Sequence, residues 1–147
     1  MSTTPAVPGA PAAPAPAPAI ERFNSGRVVP AQVPFPEGAA YGGLLFLSGQ
    51  IGNRPGEMAL VEGGVRAEAR QALSNIEAIL QAQGLGVESL LRCTVMLADM
   101  ADWPTFNEVW REFFGTRPLP ARSALGCNGL ALGARVEIEC IAARPAP

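Results

Sequence analysis

The stretch between Gly63-Gly64 and Gly84-Leu85-Gly86 constrains the fold more than any other. Val65, Ala69, Ala72, Leu73, Ile76, Ile79 and Leu80 recur at helical spacing, while Arg66, Glu68, Arg70, Glu77 and Gln81 fall between them. A helix with one apolar stripe needs an extended apolar surface to lie against. A second stripe follows in Trp103, Phe106, Val109, Trp110, Phe113 and Phe114. Asp102 suits its N-cap, and Pro104 suits its first turn, where a missing N–H leaves no bond unmade. Two helices of this kind call for a sheet beneath them.

Short apolar runs bounded by turn residues supply that sheet. Residues 44–47 are continuously apolar, following Gly42-Gly43 and leading into Ser48-Gly49-Gln50. Residues 91–97 alternate, with Cys93, Val95 and Leu97 on one face and Thr94 and Met96 on the other. Residues 122–127 and 135–142 read as two final strands. Residues 27–29, ended by Pro30, form a candidate first strand, and 58–61 a candidate short one; Pro34-Phe35-Pro36-Glu37-Gly38 reads as a turn. This order predicts an α+β two-layer unit, a mixed β-sheet with two helices on one face. The opposite face then needs a cover, and a subunit partner is the natural one.

With 147 residues, 48% of them hydrophobic, the chain suffices for one domain with a core and is short for two. Ala and Pro alternate from Pro5 through Pro18, with neither a basic segment nor an unbroken apolar run. Residues 1–20 therefore read as a disordered or polyproline-like tail, not a signal peptide or membrane helix, and residues 21–147 as the domain. The net charge of −2 offers no basic field for a phosphate backbone, so neither nucleic acid nor membrane is an expected partner.

The chain has no His, and all its basic residues are Arg. The usual neutral-pH acid–base group and commonest metal ligand are thus missing, as is any lysine for a Schiff base or a phosphate loop. Chemistry is left to carboxylates, hydroxyls, thiols, arginines, amides and the backbone. Cys93, Cys127 and Cys140 are odd in number and lack metal or redox spacing. Each lies in an apolar, strand-like stretch, so buried thiols in a reducing, cytoplasmic setting are expected.

Four places offer chemistry, each with a plainer reading beside it. Arg122 follows Pro120-Ala121 at the start of a strand, where its planar fork could grip a carboxylate or serve in a surface ion pair. Glu137 and Glu139 alternate with apolar neighbours, so both carboxylates share one strand face, functional or merely solvated. Ser48-Gly49-Gln50 ends a buried strand, either exposing N–H groups and a hydroxyl to a ligand or simply turning. Asn107 is a polar residue between Phe106 and Trp110, cleft-lining or a plain helix-surface amide.

Taken together, these segments resemble the Rid family of imine and enamine deaminases, the YjgF group. The resemblance is carried by Gly43-Leu-Leu-Phe-Leu-Ser-Gly-Gln-Ile51, Gln71-Ala-Leu-Ser-Asn-Ile76, Thr94-Val-Met-Leu-Ala-Asp99, Phe106-Asn-Glu-Val109, Pro120-Ala-Arg-Ser123 and Val136-Glu-Ile-Glu-Cys-Ile-Ala142. It implies a chorismate-mutase-like unit that forms a homotrimer through its sheets, with small-molecule clefts between subunits. It also implies that Arg122 holds a substrate carboxylate and that Glu137 holds the attacking water. Ser48, Gly49 and Asn107 would line the cleft, Asn107 from across the interface. Phe35 stands where relatives carry a Tyr, and Ala124 where they often carry a Cys that contributes mainly its backbone N–H.

The implied reaction is hydrolysis of a 2-imino acid to a 2-oxo acid and ammonia, with no metal or organic cofactor required. Two rival readings keep the fold. One is a trimer that binds small 2-oxo acids without turnover, and the other is a pathway-specific deaminase of the same family.

Overall fold

The computed structural model describes Gly9 and residues 12–145. Six strands and two helices follow in the order β1 (Ile20–Phe23), β2 (Gly38–Tyr41), β3 (Leu44–Ile51), α1 (Gly64–Ala82), β4 (Leu90–Leu97), α2 (Trp103–Phe114), β5 (Ala121–Gly126) and β6 (Val136–Ala143). They form one mixed sheet in the order β1-β2-β3-β6-β4-β5. Every neighbouring pair is antiparallel except β4 and β5, which run parallel and therefore need α2 as their crossover. Residues 12–19 form no helix or strand; the rest of the tail expected over 1–20, apart from Gly9 and Ile20, lies outside the described residues.

Both helices pack on one face, as their stripes require. Leu73, Ile76, Ile79 and Leu80 of α1 are fully buried, each contributing about 1.5–3 kcal/mol of apolar transfer. Trp110 of α2 packs at 4.6 Å from Phe114 and 5.8 Å from Phe106, ring centre to ring centre. From the sheet, Leu45, Leu47, Val95, Leu97, Val136 and Ile138 complete this core. Cys93 and Cys140, distant in sequence, are directly opposed on β4 and β6, with sulfurs 2.7 Å apart. Both thiols are buried; the bond to Cys93, followed by burial, pushes the Cys140 thiol far up. Cys127 is only half-buried, short of the expected burial.

The structure departs from the sequence expectations in several places. Residues 27–29 make no strand, because the N–H groups of Val28 and Val29 point to the buried Glu37 carboxylate instead of a neighbouring strand. Residues 58–61 contribute a single bridge, Leu60 to Asn53. β1 and β2 went unread; β2 exists because the two-residue turn Gly42-Gly43, with Gly42 at φ 59°, folds it back onto β3. Glu68, assigned to the polar face of α1, is buried and accepts the Arg135 N–H at 2.7 Å. Asp102 precedes α2 without a capping hydrogen bond, its carboxylate being taken by Arg135 Nε at 2.8 Å.

The face away from the helices is bare. Leu44, Phe46 and Leu125 are each at least 40% exposed there, with Thr94 and Glu139 between them on the same face.

Candidate active site

Glu137 sits on β6 between Val136 and Ile138, whose burial against the helices turns the carboxylate to the opposite, bare face. Beside it, β3 shifts register between Leu47 and Gln50 and brings Gly49 alongside. A Cβ on residue 49 would lie 2.0 Å from Glu137 Oε1, so glycine is what lets the carboxylate rest against this backbone. Burial first, and the neighbouring Glu139 charge second, raise the Glu137 pKa above the ordinary 4.5.

Phe35, Gly49 and Glu137 line a cavity of about 270 Å³, together with Val29, Val33, Met58 and Leu132. Its walls are held by polar residues that sequence reasoning did not single out. The buried Glu37 carboxylate accepts from Ser25 N at 2.6 Å, Ser25 Oγ at 2.8 Å, Val29 N at 3.3 Å and Val28 N at 3.4 Å. Across the cavity, the Asn53 amide donates to Val28 O, Arg54 O and Glu57 O, while its Oδ1 accepts from Asn75 at 3.2 Å. A Pro-rich loop that ends in Glu37, and two Asn residues 22 apart, gave no local signal of this frame.

Ser48 does not line the cavity with Glu137. Its hydroxyl donates to Pro36 O at 2.8 Å and its N–H to Glu37 O at 2.9 Å. It thus fixes the Phe35-Pro36-Glu37 segment to the sheet, with half-exposed Phe35 over the cavity.

Arg122 lies on β5, the edge strand, in register with the buried Cys93 of β4. Its side chain therefore faces α2. Nη2 donates to Asn107 Oδ1 at 2.7 Å, and the guanidinium lies 4.9 Å from the Trp110 ring centre and 5.5 Å from that of Phe106. Both distances suit cation–π attraction. Burial lowers the Arg122 pKa, with Cys93 opposing and Arg111 adding to the effect; a guanidinium titrates so far above neutrality that it stays a cation at neutral pH. Ala124 follows two residues on, packed against the same core.

The candidate residues thus fall into two groups. Glu137, Gly49 and Phe35 form one, and Arg122, Asn107 and Ala124 the other. Arg122 shares a face with Cys93 and Glu137 with Met96, and these two are an odd number of residues apart on β4, so the two groups lie on opposite faces of the sheet. Among the described residues no cluster of three or more His, Cys, Asp or Glu could hold a metal, and no helix is long and apolar enough to cross a membrane.

Comparison with known proteins is consistent along the chain. The mouse 2-iminobutanoate/2-iminopropanoate deaminase is 40% identical over 124 residues, covering 84% of this chain and 91% of that protein. The human protein of the same description is 38% identical, covering 84% and 90%. Among solved structures, the YjgF gene product of E. coli matches with a TM-score of 0.79 at 32% identity, covering 85% of this chain and 99% of that one. E. coli TdcF, solved with bound serine, matches with a TM-score of 0.78 at 33% identity, with the same coverage. The mixed six-stranded sheet with two helices is therefore a YjgF-like fold. Residues 26–144 match the family described as Endoribonuclease L-PSP, and the chain belongs to that family, the one that holds the YjgF and Rid proteins.

Proposed function

We propose that this protein hydrolyses 2-imino acids to 2-oxo acids and ammonia. The observation that carries this reading is Glu137, a half-buried carboxylate pushed toward protonation at the edge of an apolar cavity. A carboxylate so tuned can take a proton from water and return it later. Relatives near 40% identity that are described as imine deaminases support the same reaction.

In this mechanism the Arg122 guanidinium pairs with the substrate carboxylate and so fixes the position of the imine carbon. Glu137 accepts a proton from a water whose oxygen bonds to that carbon, and the C=N bond becomes a C–N bond. The same carboxyl returns that proton to the nitrogen, giving a tetrahedral carbon that bears –OH and –NH2. It then carries the hydroxyl proton to the –NH2, the C–N bond breaks, ammonia leaves, and the C=O of the 2-oxo acid forms. Water supplies the oxygen and the protons balance, so hydrolysis needs no redox partner. With Arg122 and Glu137 on opposite faces of one chain, the reading requires Arg122 and Asn107 of one copy to meet Glu137 of another. A homotrimer in which the edge strand β5 of one copy lies against the Glu137 side of the next would meet that requirement. Its partner is then a small molecule, and the free thiols suit a cytoplasmic setting.

The test couples an amino-acid oxidase that generates 2-iminopropanoate to semicarbazide, which traps whatever imine remains. Wild type should speed imine loss, and Arg122→Ala should lower kcat/KM by roughly 10²–10⁴-fold, the loss of two charge-assisted hydrogen bonds. Wild-type turnover no faster than buffer would favour a binding protein for 2-oxo acids instead.

A further inference from the structure

The cavity beside Glu137 has a composition that speaks to the substrate. Val29, Val33, Phe35, Ile51, Met58 and Leu132 supply most of its wall. Its buried amides are turned away. Gln50 Nε2 donates to Ser48 O at 2.9 Å, and Asn53 is spent on three carbonyls and on Asn75. Two carboxylates remain in a mostly apolar lining, Glu137 and the exposed Glu57, which lies 3.8 Å from Arg54.

Leu132 adds a second observation. Its φ of 59° makes it the only non-glycine among the described residues in the left-handed region, and it lies between Gly129 and Gly133. Glycine would hold that backbone at lower cost. The position instead carries a large, half-exposed apolar side chain at the cavity. Strain of this kind persists where the side chain is wanted.

The chemistry of the reacting carbon fixes what enters. An imine carbon has three substituents: the nitrogen, the carboxylate and the side chain. With the carboxylate on Arg122 and the carbon at Glu137, the side chain is left for the space beside Glu137. An apolar cavity of roughly 150 Å³ accepts a benzene-sized molecule, and this one measures about 270 Å³. A methyl or ethyl group would leave most of it empty or wet.

We infer that this cavity is a side-chain subsite that selects 2-imino acids with large apolar side chains, such as those derived from leucine or methionine, over 2-iminopropanoate. The inference rests on the deaminase reading for its chemistry, but its binding claim stands apart from turnover. Each methylene taken from water is worth roughly fourfold in kcat/KM, so the preference for the leucine-derived over the alanine-derived imine should be on the order of tenfold or more.

The experiment measures kcat/KM for imines made in situ from alanine, leucine and methionine, and the binding of the corresponding 2-oxo acids by calorimetry. Wild type should favour the leucine and methionine compounds in both. Leu132→Gly, which relieves the backbone, should fold and should shrink the leucine-to-alanine ratio several-fold. Turnover without preference, or with alanine favoured, overturns the subsite and leaves the deaminase reading intact. Selective binding of the larger oxo acids without turnover of any imine supports the subsite and overturns the deaminase reading. Neither turnover nor selective binding overturns both.

Discussion

Arg122 and Glu137 face opposite sides of the same sheet, the first against Trp110 of α2 and the second against Gly49 of β3. A small imino acid held by both must therefore lie between two copies of the chain. Arg122→Ala and Glu137→Gln should each be inactive alone, yet unfolding and refolding them together should restore activity. In randomly mixed trimers about one site in four combines an intact arginine with an intact glutamate. Recovery near a quarter of wild-type kcat, read in the imine-trapping assay, is the expected result. No recovery despite mixed assembly would mean that the two residues do not share a site.

The raised pKa of Glu137 sets a pH dependence. Its base form is lost on the acid side, so kcat/KM should fall as pH drops, with a midpoint above the ordinary 4.5. Glu139→Gln removes the second cause of the shift and should move that midpoint down. The same shift acts on stability with the opposite sense. The folded protein holds this proton more tightly than the unfolded chain does, so stability declines as pH rises from the unfolded toward the folded pKa, and stays lower above it. Glu137→Gln should then raise Tm near pH 8 while leaving it unchanged below pH 4. A variant less stable than wild type near pH 8 would contradict this account of the shift.

Gly49→Ala separates geometry from folding. The added methyl would meet Glu137 Oε1 at 2.0 Å, and the flexible carboxylate end is the part that can yield. Stability should change by less than about 1 kcal/mol, since a surface-side adjustment suffices. Because a misplaced group far smaller than a residue can cost roughly 10²-fold, kcat should fall on that order. Unchanged kcat in a folded variant would show that the carboxylate position is not critical.

Legibility in the sequence followed locality. The α1 stripe and the alternation in β4 and β6 depend on neighbours a few residues away, and they read correctly. Strand β2, Gly38-Ala39-Ala40-Tyr41, carries no bulky alternation and is a strand only because β3 pairs with it. Residues 27–29 have the composition of a strand, yet Glu37 takes their N–H groups. Arg122, Asn107 and Glu137 could be named from the chain and from the family it resembles. Their division between two faces follows from strand register, which no local pattern of 147 residues displays.

Glu37 shows most directly how an unread residue shapes the site. Its carboxylate is 1% exposed and gathers the N–H groups of Ser25, Val28 and Val29, and Val29 is a wall of the cavity. Glu37→Ala would leave these donors without a partner, at about 1–3 kcal/mol for each that stays buried. The expected total is roughly 2–5 kcal/mol, seen as a lower denaturant midpoint with little change in slope. Glu37→Gln keeps the size and one acceptor oxygen, so it should lose less. In both variants, backbone amides over 25–33 should exchange with solvent faster than those of β4 and β6, because the loop opens before the sheet does. Uniform exchange across loop and sheet would mean that Glu37 stabilises the whole fold and not this wall.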